Sequence, residues 1–188
     1  MTSPLSSTGY PLTDLFRIVS LEGYSPKMGL LVSMLNYVRH TTLRAVSGMT
    51  LEELDYNTGI PNSIGALLSH IWAVENYFQI ATFQLTSHEN YDVAIDLAET
   101  SRSVLKGITL DEHIHRLNET RKRTLSELAA RDDAWLEIES VFRSVSEGEG
   151  MVSNNHMNWF HVLEDEINHR GQIQLIRKHL ITPVKDLG

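Results

Sequence analysis

The sequence predicts an all-α fold, a four-helix bundle behind an N-terminal arm, and three observations carry that prediction. Four segments repeat apolar residues at helical spacing, and each is bounded by residues that start or stop helices. No alternating run is long enough to suggest a sheet, and no internal repeat is present. Of the 188 residues 41% are hydrophobic and 21% charged, the balance of a globular chain with a sizeable core. Helices with one apolar face each must bury those faces against one another.

The elements follow in order. Residues 1–25 form an arm rich in Ser, Thr, Gly and Pro, with one helical turn expected around Thr13–Val19. Residues 26–188 form the bundle domain. Ser25 suits an N-cap and Pro26 the first helical position, so the first helix starts there. Leu31, Leu35, Val38, Thr42 and Val46 give its stripe, and Gly48 closes it. Residues 49–63 read as a loop. The second helix spans about Ser63 to Phe83, with Ile64, Leu67, Ile71, Val74 and Phe78 on one face. The polar stretch 86–108 carries only a weak helical signal, over 92–104. Thr109 and Glu112 have capping-box spacing and open a third helix that continues through Ile114, Leu117, Leu125 and Leu128 to about Arg131. Residues 135–142 alternate and read as extended, and 146–150 as a loop. The fourth helix covers about Ser153 to His179, ending before Pro183.

Composition excludes several functions. With 24 acidic against 16 basic residues the formal charge is −8, and no basic stripe with interleaved aromatics offsets it, so no nucleic-acid partner is expected. The chain has no cysteine, which excludes disulfides, thiolate zinc sites and a cysteine nucleophile, and fits a reducing cytosol. No apolar run approaches the ~20 residues of a membrane span, and the N-terminus lacks the basic and apolar regions of a signal peptide. A cytoplasmic protein with no membrane partner is the expectation.

Nine histidines are present. His88, His113, His115 and His156 fall in polar stretches and read as solvated. His40 and His179 lie near helix C-termini, where a cationic ring complements the dipole. His70, inside GALLSHIWAVENYF, lies among Leu67, Val74 and Tyr77 and reads as a satisfied core histidine or as a metal ligand. The last helix holds His161, Asp165 and His169 at intervals of four, successive members about 40° apart and one turn apart. A carboxylate–histidine pair at that spacing can chelate one divalent ion. A histidine from a facing helix would complete a His₂-carboxylate set suited to Zn²⁺, Ni²⁺, Fe²⁺ or Mn²⁺, with positions left open. Glu166, three residues before His169, competes with Asp165 for the carboxylate position. It also suits an ordinary i,i+4 pair with Arg170 on an exposed face.

Two phrases, NSIGALLSHIWAVENYF and EDEINHRGQIQLIRK, resemble the DinB-like superfamily, the second through its H-R-G-Q-I signature. The resemblance covers roughly residues 28 to 181. It implies a four-helix bundle with one divalent ion held by His70, Asp165 and His169. Asp165 stands where relatives carry histidine or, in the mycothiol-dependent maleylpyruvate isomerase branch, glutamate. It also implies a low-molecular-weight thiol cofactor such as mycothiol or bacillithiol, a small-molecule substrate for S-transfer or isomerisation, and a homodimer. His161 is then a group lining the pocket, and Glu75, Trp72, Trp159 and Arg170 are neighbours that shape it or pack beside it. The alternative is a non-catalytic dimeric binding protein whose metal site is degenerate or only braces the bundle.

Overall fold

Helix starts in this chain are set by short polar side chains, and in the computed structural model most of those starts fall where the sequence puts them. The structure describes residues 15–178 apart from 58, 60, 86–91, 96, 98–104 and 144–149. Helix α1 spans Pro26–Val46 with extended Ser25 at its N-cap and ends before Gly48, whose φ of +74° glycine adopts without strain. The Ser25 hydroxyl does not cap the helix. It donates to Asp133, whose carboxylate accepts the N–H groups of Lys27 and Met28 at 2.9 and 3.1 Å.

A second helix, α2 at Leu51–Asp55, corrects the expected loop. Thr50 and Glu53 form a complete capping box around it, but with only Leu54 buried it is too short to display a period. Helix α3, Ile64–Phe83, is capped by Ser63, which accepts from the Ala66 N–H at 3.2 Å. A single turn, α4 at Asp92–Ile95, falls in the weak region, whose remainder from 98 to 104 lies outside the described residues. Helix α5, Leu110–Ala129, starts from the Thr109 cap as expected.

A further turn, α6 at Asp133–Leu136, leads into strand β1, Glu139–Arg143, which pairs antiparallel with β2, Gly150–Asn154. The helical bundle stands with this two-stranded hairpin beside it: β1 overlaps the segment 135–142 that reads as extended, while Trp135 and Leu136 are instead helical. The hairpin's second strand, GMVSN, begins and ends on residues with little preference for strands, so the pattern of β2 is silent. Asn154 ends β2 and caps α7, Asn155–Ile176, by accepting the Met157 N–H at 2.8 Å. The predicted end of that helix at His179 lies outside the described residues.

Residues 15–25 of the arm lie against α1. Leu15 is buried, and the Ser33 hydroxyl donates to the carbonyl of Arg17 at 3.1 Å. At Gly29 an added Cβ would stand 2.6 Å from the Leu21 backbone nitrogen, so only glycine admits this crossing.

The four long helices pack in the ring α1–α7–α3–α5, with α1 diagonal to α3 and α5 diagonal to α7. The core they enclose is split. One apolar cluster holds Leu43, Leu67, Ile71, Leu117 and Ile173, and the other Leu31, Leu35, Phe78, Leu128 and Trp159. Between them lies a layer of four charges, one from each long helix: Arg39, Glu75, Arg121 and Glu166, all 0–3% exposed.

Arg39 bonds both Glu166 oxygens, at 2.8 and 3.2 Å, and Glu75 at 2.8 Å. Arg121 bonds both Glu75 oxygens, at 2.7 and 3.1 Å, and Glu166 at 3.1 Å. The spare N–H groups reach the backbone carbonyls of Leu117 and Leu35, and Thr124 donates to Glu75. Two cations and two anions with their polar atoms shared in this way can be buried at tolerable cost. Glu75 accordingly titrates low: burial opposes its charge, but Arg121 and Arg39 outweigh it and hold the carboxyl at about 2.

Candidate metal centre

The groove between α3 and α7 gathers three side chains. Asp165 and His169, one turn apart on α7, face His70 from the first half of α3. An Asp165 oxygen (Oδ1) lies 3.3 Å from His169 Nε2 and 3.5 Å from His70 Nε2, and one ligand atom from each residue falls within 4.8 Å of the other two. Ligands bound tetrahedrally at 2.0–2.2 Å stand roughly 3.3–3.5 Å apart, so these separations match a zinc-sized ion. All three side chains are 12–13% exposed.

The chemistry of the donors fits the same group. His70 Nδ1 sits 2.8 Å from the carbonyl of Ala94, which accepts its proton and leaves the Nε2 lone pair facing the groove. Burial lowers the His70 pKa, but the facing carboxylate and the Ala94 carbonyl outweigh it and the net shift is upward. Burial likewise disfavours charge on Asp165, yet His169 and His70 hold its carboxyl far below the ordinary range. A carboxylate held ionised between two imidazoles is a site that attracts positive charge.

The other expected residues divide. Glu166 does not compete with Asp165. One residue on is about 100° around the helix, which turns Glu166 into the core, where two arginines occupy both its oxygens. His161 lies one turn before Asp165, its ring 5.7 Å from that of Phe78. It lines a cleft of about 520 Å³ with Met157, Asn158, Asn154 and Val152, between α7 and the hairpin. Trp159 stacks on Phe83 at 5.0 Å and donates to Thr82, Trp72 is buried beneath the Arg116 guanidinium, and Arg170 donates to the Thr41 hydroxyl. The partners of these three residues are packing and hydrogen-bonding groups on other helices.

Among the remaining histidines His113 is a correction, because it is buried. Burial, aided by Arg116, pushes its pKa down to about 4. His40 is also buried, while His115 and His156 are exposed and His88 and His179 fall outside the described residues. Sequence reasoning had no means of finding the Ala94 carbonyl, since any residue supplies one. It also missed Arg39 and Arg121, whose partners come from other helices.

A bundle whose second long helix turns a histidine toward an Asp-x₃-His pair on its last has the arrangement of the DinB-like metal-binding helical proteins. Within that class the chain belongs to the Mycothiol-S-transferase family, whose profile matches residues 30–181. No curated protein sequence matches the chain. None of the described helices is long and apolar enough to cross a membrane.

Proposed function

We propose that the protein is a divalent-metal-dependent S-transferase that uses mycothiol, with His70, Asp165 and His169 as the ligands. The observation that carries this reading is the spacing of the three donor atoms together with the Ala94 carbonyl behind His70, in a chain of the Mycothiol-S-transferase family. A bound divalent ion would lower the pKa of a thiol beside it and make thiolate available at neutral pH. The chain has no cysteine, so the sulfur must come from the small molecule. The thiolate sulfur forms a bond to an electrophilic carbon of the acceptor, which releases its leaving group with the bonding pair, and the thiol proton passes to solvent. The protein's share is to hold three donors in place, keep Asp165 ionised, and shape the cleft beside His161 for the body of the thiol or its acceptor.

Two measurements test this. Mass-spectrometric metal analysis of untagged protein should find near one equivalent of Zn, Ni, Fe or Mn, absent from His70→Ala, Asp165→Ala and His169→Ala variants that remain helical. Metal-loaded protein should then consume mycothiol with a model electrophile such as monobromobimane, at least 100-fold faster than those variants. Stoichiometric metal without thiol turnover would leave a binding protein. No metal, even after its addition, would leave the trio as an ion-paired brace between α3 and α7.

A further inference from the structure

We infer that the buried quartet Arg39, Glu75, Arg121 and Glu166 is a positioning device for the metal ligands, acting by fixing the rotation and slide of α3 against α7. The inference rests on the metal reading above. Each ligand-bearing helix carries one of the two acids. Glu75 follows His70 by five residues on α3, and Glu166 lies between Asp165 and His169 on α7. Both acids are gripped by the same two guanidinium groups, which come from α1 and α5, the helices that carry no ligand. The arginines are themselves anchored to the carbonyls of Leu117 and Leu35.

Magnitudes explain why a charged layer serves this end better than an apolar one. Slipping a helix by one residue moves it 1.5 Å and turns it about 100°. Apolar cores accept rearranged packing and lose uniqueness before stability. Metal–ligand distances must hold within about 0.2 Å, and sites of this kind tolerate errors of only about 0.5 Å. A paired set of N–H···O bonds between 2.7 and 3.2 Å has one register in which all are made. Stability gives no comparable reason for the layer, because well-packed apolar residues of similar volume commonly replace buried ion networks at no loss.

The test is a quadruple variant, Arg39→Met, Glu75→Leu, Arg121→Met and Glu166→Leu, in the full chain. Metal-free wild type, this variant and His169→Ala are titrated with Zn²⁺ against a competing chelator. A second titration uses Co²⁺, whose visible absorption reports ligand geometry. The quadruple variant should unfold cooperatively at the wild-type temperature or above, yet bind Zn²⁺ 10- to 100-fold more weakly with an altered Co²⁺ spectrum. A folded variant with wild-type affinity and spectrum overturns the inference alone. Wild type that binds no metal overturns the metal reading, and this inference with it. If the quadruple variant does not fold, Arg39→Gln with Glu166→Gln, which neutralises one pair and keeps polar side chains at both positions, is held to the same criterion.

Discussion

At the scale of single residues, His113 and Glu75 are buried groups whose protonation works against the fold. The folded pKa of His113, about 4, lies below the ordinary 6.5, so its contribution is complete above pH 6.5 and lost as pH falls from there toward 4. In urea titrations the His113→Leu variant should lack this part of the acid destabilisation, on the order of 3 kcal/mol. A second loss, between pH 4.5 and about 2, follows protonation of Glu75. An Asp-x₃-His pair shows in the sequence because one helical turn brings its members together, and His70 shows as a polar interruption of an apolar stripe. Glu166 was misread for a related reason. Spacing within one helix suggested a partner on that helix, whereas its partners stand on α1 and α5. His113 was misread from the polarity of its neighbours, though its own ring is buried.

At the scale of elements, long helices were read well because period and cap agreed, as at Ser63 and Thr109. The short pieces were harder: α2 has a complete capping box but no stripe, and of the hairpin's two five-residue strands only β1 overlaps a segment that reads as extended. Thr50→Ala should lower stability by about 1 kcal/mol in chemical denaturation, with metal binding unchanged. Gly29→Ala should cost more, about 1–3 kcal/mol, because backbone at Leu21 must move. Asp133→Ala should lower the melting temperature more than Ser25→Ala, since the aspartate and not the serine satisfies the first N–H groups of α1.

At the scale of the molecule, the outer face of α7 leaves Phe160, Ile167 and Leu175 at 45, 39 and 60% exposure, spaced seven and eight residues apart. Such a row suits the same helix of a second copy. Light scattering should therefore return about twice the 21.3 kDa chain mass, and Phe160→Glu with Leu175→Glu should restore the single value while the protein remains helical.

The division of the core bears on how the chain is made. Its charged layer balances only when all four long helices are present, and Glu166 is the last member to leave the ribosome. Until then two guanidinium groups share one carboxylate, and closing the bundle would bury an unmatched cation. A nascent chain halted before residue 166 should consequently remain open to protease, with protection gained in one step once α7 has emerged.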